Sequence, residues 1–316
     1  MRGRYVLLFG IVLLFFSCRK FSGSQEVPSY IHIEPWTLTT EYQREGAATH
    51  AITDAWVYVD GSLLGCFELK SHSDGTYANI PILKHGEHTL QIYPGIKLNG
   101  ISSTRIQYPC YKPYKKTLVL EEGVVDTITP FTTYYNIDST NMEFKILEDF
   151  EDANNICMTI DTNVSHAVRQ QISHRTDSNA WLDPFDTINH YRSVKIHLGE
   201  TELGDTISQF SLVSGEIREF PAQGNYVLLE LDHKCEQDFL FGMYIYSSQN
   251  GLMDKELYYF RASDTWKKIY VNLSPTITDN NNAKYFKFYM KGGVEEGESA
   301  DYYFDNVKLV YVVRNF

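Results

Sequence analysis

From Tyr30 onward, apolar and polar residues alternate with a period of two, in short runs separated by turn residues. That is the pattern of strands that bury one face. Tyr30-Ile31-His32-Ile33-Glu34 stops at Pro35, and Asp54-Ala55-Trp56-Val57-Tyr58-Val59 runs into Asp60-Gly61 before the alternation resumes from Leu63 to Leu69. An Asp-Gly pair between two such runs predicts a hairpin, because the turn needs positive φ, where glycine meets no Cβ clash. Ile80-Pro81-Ile82-Leu83 predicts a short edge piece, and Lys84 to His88 a turn leading into Thr89 to Gly95. Two more strands, Lys115 to Leu120 and Val124 to Thr129, flank Glu121-Glu122-Gly123. Beyond Met142 the alternation returns in Phe144 to Glu151, Tyr191 to Leu198, Tyr226 to His233, Phe239 to Ser247, Leu257 to Arg261, Trp266 to Leu273, Lys284 to Lys291 and Ala300 to Tyr311. Many short alternating strands with no long helical period predict an all-β chain, its second half a jelly-roll sandwich. The length exceeds one comfortable sandwich, so two domains are expected, over 29–136 and 137–316.

The start of the chain breaks this pattern. Arg2 and Arg4 precede an apolar run from Tyr5 to Phe16 that is too short for an ordinary spanning helix, and Ser17 puts a small residue before the break. Residues 1–17 therefore read as a secretory signal peptide. Because the break falls at Cys18, the stretch resembles a bacterial lipoprotein signal, with Phe15 where the strict motif has leucine. The resemblance implies a lipidated Cys18, carrying palmitate-type chains, as the first mature residue. Residues 18–28, polar and weakly patterned, suit a tether. Arg19-Lys20 stand where some surface-displayed Bacteroidota lipoproteins carry acidic residues, so the expected location is the outer membrane, with its periplasmic face and the cell surface both open.

Charge narrows the partners. Asp and Glu number 40 against 28 Lys and Arg, for a net charge of -12, so no field attracts a phosphate backbone and nucleic acid is not expected. Once Cys18 is set aside, Cys66, Cys110, Cys157 and Cys235 remain, an even count that in an exported protein permits one disulfide in each half, Cys66 with Cys110 and Cys157 with Cys235. Four buried thiols are the alternative. His85 and His88 flank Gly86-Glu87 in a tight turn rather than at metal-ligand spacing. Asn99-Gly100 lies in a Pro94 to Pro113 insertion carrying Tyr108, Tyr111 and Tyr114, which is expected to cap a sandwich end, protein docking being the alternative use. No G-x-S-x-G, H-E-x-x-H, C-x-x-C or phosphate-binding glycine loop occurs, and no enzyme is expected.

Two resemblances add to this reading. Val57-Tyr58-Val59-Asp60-Gly61, then Leu64-Gly65, then Gly86-Glu87-His88-Thr89-Leu90-Gln91-Ile92, resembles the PEGA-type immunoglobulin-like modules of bacterial surface proteins, which implies a small β-sandwich used for spacing or binding. Thr265-Trp266-Lys267-Lys268-Ile269-Tyr270-Val271-Asn272-Leu273, then Tyr285 to Met290, then Tyr303-Phe304-Asp305-Asn306-Val307-Lys308-Leu309, resembles the last strands of galactose-binding-like jelly rolls, the scaffold of many carbohydrate-binding modules. That likeness implies a structural calcium site, for which Glu148, Glu151 and Asp305 match the positions. A sugar site on the same scaffold needs flat aromatic faces near amides or carboxylates, and Trp181, Tyr258 and Tyr259 are its candidates. Together the resemblances describe a Bacteroidota-type outer-membrane lipoprotein with an immunoglobulin-like sandwich followed by a jelly roll. Its expected function is that of a scaffold or accessory subunit docking on other outer-membrane proteins such as a β-barrel, with glycan binding for a carbohydrate-uptake system as the alternative.

Overall fold

The computed structural model describes residues 26–69, 79–135, 142–152, 157–163, 171–173, 192–200, 206–220 and 225–312. The chain is all-β. Its first half holds β1 (Ser29–Ile33), β2 (Thr37–Thr39), the four-residue helix α1 (Tyr42–Glu45), β3 (Asp54–Val59), β4 (Ser62–Glu68), β5 (Ile80–Ile82), β6 (Gly86–Lys97), β7 (Arg105–Gln107), β8 (Tyr114–Leu120), β9 (Val125–Ile128) and β10 (Phe131–Thr133). The second holds β11 (Met142–Glu148), β12 (Met158–Ile160), β13 (Gln171–Ser173), β14 (Ser193–Glu200), β15 (Thr206–Ile207), β16 (Gln209–Ser214), β17 (Tyr226–Cys235), β18 (Phe239–Ser247), β19 (Gly251–Phe260), β20 (Ser263–Asn272), α2 (Ser274–Asp279), β21 (Tyr285–Gly293) and β22 (Ala300–Val312).

Turn chemistry places the first sheets. Asp60 and Gly61 both take positive φ, 51° and 78°, closing the β3–β4 hairpin as the Asp-Gly pair predicts. β3 then pairs with β6, and β6 with β7 and β8, while β1 sits between antiparallel β5 and parallel β9, and β2 pairs in parallel with β10. The second half is a pair of facing sheets. A seven-stranded sheet runs β13-β14-β22-β17-β20, with β11 on β22 and β15 on β14; a five-stranded sheet runs β12-β16-β21-β18-β19. Alternate residues Phe241, Met243 and Ile245 of one sheet bury against a core that Leu229, Leu231, Val271 and Leu309 of the other share.

The two halves also share a core. Ile31, Val57, Ile92 and Ile128 of the first half cluster with Leu228, Tyr270 and Val310, which project from the outer side of the seven-stranded sheet. Leu98 makes a parallel bridge to Tyr270, and Asn99, in the left-handed conformation at φ 58° that asparagine tolerates, donates its N–H to Tyr270 O at 2.7 Å. Its Oδ1 accepts from Asn272 N at 2.8 Å. The Pro94 to Pro113 insertion thus caps from within: Tyr108 and Tyr111 are buried between the two halves, packed edge-on at 4.6 Å.

Charged groups are buried in the same seam. Glu230, fully buried on β17, accepts from the hydroxyls of Tyr108 at 2.7 Å and Tyr134 at 2.9 Å and faces Lys268 Nζ at 3.3 Å. Asp232, two residues on, accepts from Thr49 Oγ1 at 2.6 Å, and Lys308 Nζ donates to Ala47 O at 2.6 Å. Burial pulls the Lys268 ammonium down, but Asp232 and Glu230 outweigh it and hold its pKa above the usual value. Lys308, with burial dominant, is pushed down to about 8.

The cysteines do not pair as expected: all four stand as thiols. Cys66 lies on β4 in the field of Asp54 and Arg105, whereas Cys110 is buried beside Tyr108 and Glu230 in the seam. Cys157 sits by Glu148 and Asp149, whereas Cys235 is buried in the jelly-roll core with its Sγ 3.8 Å from Tyr303 O. Each expected pair is divided between different neighbourhoods, and disulfide geometry needs Cα atoms within about 7 Å.

Candidate functional site

The outer side of the five-stranded sheet is built by the residues that alternate with the core set. On β18, Leu240, Gly242, Tyr244 and Tyr246 point away from Phe241, Met243 and Ile245; on β21, Tyr285, Lys287, Tyr289 and Lys291 point away from Phe286, Phe288 and Met290. Register brings them into rows. Lys291, Leu240 and Tyr259 lie side by side, then Tyr289, Gly242 and Glu256, then Lys287, Tyr244 and Asp254, then Tyr285, Tyr246 and Leu252. With about 3.3 Å per residue, four rows span roughly 20 Å along the strands.

Gly242 makes this surface flat. A Cβ there would overlap the Tyr289 hydroxyl and ring, so the glycine lets that ring lie across the strand. Tyr289 is buried with Val213, Leu240 and Tyr244 as an apolar floor, its ring 4.7 Å from that of Tyr244. Lys291 Nζ stands 3.9 Å over the Tyr289 ring and 4.9 Å over Tyr244. Asp254 accepts from Tyr289 Oη at 2.5 Å and from Lys291 Nζ at 2.7 Å. Burial and the Asp254 hydrogen bond push the Tyr289 phenol far above its ordinary pKa, and it remains a donor at neutral pH. At the far row the Tyr246 and Tyr285 rings stack at 4.9 Å and 11°, with the Arg218 guanidinium 5.3 Å from the Tyr285 ring.

At the near row the surface opens into a cleft of about 840 Å³ lined by Gln209, Asp238, Leu240, Tyr259, Lys291 and the acidic tip residues Glu295 and Glu298. Tyr259 is 71% exposed, and its hydroxyl donates to Glu256 Oε2 at 3.2 Å. Chemically the face offers flat phenol rings, two carboxylates and a lysine at short range. That arrangement suits reversible binding of a polyhydroxylated ligand, whose ring faces stack while its hydroxyls find donors and acceptors.

Of the residues expected to form a sugar site, Tyr259 alone lies here. Tyr258 points inward against the core, and its hydroxyl meets the Asn99 side chain in the seam. Trp181 lies outside the described residues, as does Cys18. Of the calcium candidates, the Glu148 oxygens accept from the amides of Phe150 and Cys157, Glu151 Oε1 accepts from Arg192 N at 2.5 Å, and Asp305 Oδ1 accepts from Asn306 N at 2.7 Å. Among the described residues, no group of three or more His, Cys, Asp or Glu could hold a metal ion. His88 uses both ring nitrogens in its turn, on Asp60 Oδ2 at 2.8 Å and His85 O at 3.0 Å. Tyr244, Tyr289 and Lys291 carry a signal of their own in the sequence: tyrosines and lysines share one parity along Phe239 to Ser247 and Tyr285 to Lys291, with a glycine in the middle of the first.

No protein-family model matches the chain, and no curated protein matches it. Among solved structures, the chain is similar to the family 11 carbohydrate-binding module of Clostridium thermocellum solved with a β-1,3-1,4-mixed-linked tetrasaccharide, at 14% identity and a TM-score of 0.34, over 53% of this chain and 94% of that one. It is similar to the CBM22-1–GH10 modules of the Clostridium thermocellum xylanase 10B complexed with xylohexaose at 10% identity and a TM-score of 0.36, over 55% of this chain and only 29% of that one. A cyclase from Fischerella sp. TAU overlays at 10% identity and a TM-score of 0.37, over 55% of this chain and the whole of that one.

Proposed function

We propose that this chain is a non-catalytic glycan-binding lipoprotein of the outer membrane, serving carbohydrate capture or uptake, with the outer side of its five-stranded sheet as the sugar site. One observation carries the reading: Tyr259, 71% exposed, shares that side with Tyr244, Tyr246 and Tyr285 and with Lys291, Asp254 and Glu256. The leader with Cys18 supports attachment to a membrane and export to the compartment where glycans are met. Two of the three tyrosines of the loop whose alternative use was protein docking, Tyr108 and Tyr111, are buried within the chain, so that loop offers little to a scaffold reading.

The test is a glycan array followed by calorimetry on the mature protein. Tyr259→Ala with Lys291→Ala is expected to weaken binding at least tenfold, about 1.4 kcal/mol, at a cost in stability of no more than about 1 kcal/mol from the loss of the part-exposed Lys291–Asp254 pair. No binding to any glycan, or binding indifferent to both substitutions, overturns the assignment.

A further inference from the structure

We propose that the cleft where the first sandwich meets the jelly roll is a second saccharide site, one that takes neutral sugars. This rests on the glycan-binding reading above and extends it to a region of the molecule that the first site does not touch. The cleft holds about 460 Å³, within the range of small-molecule sites, and its walls include Trp56, Tyr93, Gln107, Tyr135 and Arg105 with Tyr226. Tyr226 opens β17 of the jelly roll, so the two sandwiches build the cleft jointly.

Three features point to a sugar. Trp56 and Tyr93 are cross-strand partners on β3 and β6, and the diagonal neighbour is Gly95. A Cβ on Gly95 would stand 2.7 Å from Asp54 Cβ and 3.0 Å from Trp56 Cδ1, so the glycine gives the indole its seat on the sheet, as Gly242 does for Tyr289. Charge is balanced: Arg105 binds Asp54 and, at 2.8 Å, Glu68, whose other oxygen takes Lys97 Nζ at 3.1 Å. Two cations thus meet two carboxylates, and nothing selects a phosphate or a uronate. The polar groups are of both kinds. Tyr93 Oη accepts from Gln91 Nε2 at 2.5 Å, leaving its proton to donate; Gln107 Nε2 gives one proton to Tyr58 Oη at 2.8 Å, and its amide oxygen can accept. A sugar hydroxyl uses both. A proline-rich peptide, the other common guest of aromatic clefts, shows mostly acceptors and prefers parallel aromatic ridges, whereas Tyr58 and Tyr93 meet edge to face at 69°.

The experiment uses the mature full-length chain in the Tyr259→Ala, Lys291→Ala background, titrated with cellohexaose, xylohexaose and mannohexaose by calorimetry and tryptophan fluorescence. At least one oligosaccharide is expected to bind with one site per chain, at least tenfold more weakly after Trp56→Ala or Tyr226→Ala and within a few fold of the parent after Trp56→Phe, each variant still melting in one cooperative transition. Loss of all saccharide binding in the background itself overturns the second site while the first stands. Binding that ignores Trp56→Ala, or a proline-rich decapeptide bound at Trp56 in place of the sugars, also overturns it. Absence of binding in the unsubstituted protein removes both sites. Trp56-dependent binding that is the same with and without the open-face substitutions upholds this site and removes the first.

Discussion

The two outer sides of the jelly roll follow the same alternation and reach opposite ends. On the seven-stranded sheet the outward positions are Leu228, Glu230 and Asp232 of β17, Lys268 and Tyr270 of β20, and Lys308 of β22, and the first sandwich closes over them. On the five-stranded sheet they are Tyr244, Asp254, Tyr259 and Lys291, and they face outward. The difference teaches that charge at outward positions does not mark a solvated side. Glu230 and Lys268 are buried because each finds the other, with tyrosine hydroxyls taking the remaining lone pairs. The open side keeps charge for a different purpose: Lys291 and Asp254 fix the tyrosine rings in place.

The largest effect is expected from breaking the covered side. Glu230→Ala removes the acceptor of Tyr108 and Tyr134 and leaves Lys268 and Lys308 with one counter-charge fewer in a buried seam. Loss of one partner from a buried pair costs about 3–5 kcal/mol, so a fall in melting temperature on the order of 10 °C is expected by calorimetry. A change under about 1 kcal/mol would mean that the seam is not closed in solution. On the open side, Gly242→Ala tests the floor. The new methyl overlaps the Tyr289 ring, which must swing off Asp254 and Lys291. Denaturant melts are expected to show about 1–3 kcal/mol of destabilisation together with weaker glycan binding, whereas a fully packed variant with native affinity would show that the flat ring is dispensable.

Asp305 sharpens the comparison through pH. It lies in the seam, where burial and then the field of Asp232 raise its pKa well above the carboxylate range. A carboxyl with a raised folded pKa contributes stability that is fully present below its unfolded pKa near 4 and is lost as pH rises through the folded value. Asp305→Asn fixes the uncharged form and keeps an oxygen for Asn306 N–H. The variant is expected to match the parent at pH 3.5 and to exceed it on the order of 1–2 kcal/mol at pH 8. His233, held down to about 4 by burial, titrates in both proteins and cancels in the difference. Equal stability at both pH values would mean that Asp305 is not desolvated.

How much of this was legible in the sequence follows from which interactions are local. The β3–β4 hairpin is local: Asp60-Gly61 dictates the turn, and Val57 and Val59 against Tyr58 dictate the buried side. Phe239 to Ser247 matches β18 residue for residue because one side of that strand is core throughout. The short strands β2, β7, β10, β12, β15 and β16 gave no comparable signal, since most are two or three residues long and owe their pairing to distant partners. The seam was invisible for a deeper reason. Glu230, Asp232, Lys268 and Lys308 sit at polar positions of alternating strands, and only their spatial convergence with residues far away in the chain makes them buried. The partners of Glu148 were likewise out of reach of the sequence, because it turns to backbone amides that its own bend at Phe150, with φ 56°, brings within reach. Tyr259 was legible by type; its neighbours Lys291 and Asp254 required the register between β18, β19 and β21.

The smallest expected change in stability comes from Tyr259→Ala, and that smallness is its value. At 71% exposure the ring packs on little, and its one hydrogen bond, to Glu256, is solvated, so melting is expected to move by less than about 0.5 kcal/mol. Affinity is expected to behave differently, because a ring standing free at the mouth of the 840 Å³ cleft offers stacking area to a ligand that it does not use in the fold. Calorimetric titration with the best ligand from the array, run beside Tyr258→Phe as a seam control, separates the two roles. Tyr258→Phe loses a contact with Asn99 in the seam and should cost about 1 kcal/mol of stability with unchanged affinity. Tyr259→Ala should cost affinity alone, and an exchange of these outcomes would place the ligand on the covered side of the jelly roll rather than the open one.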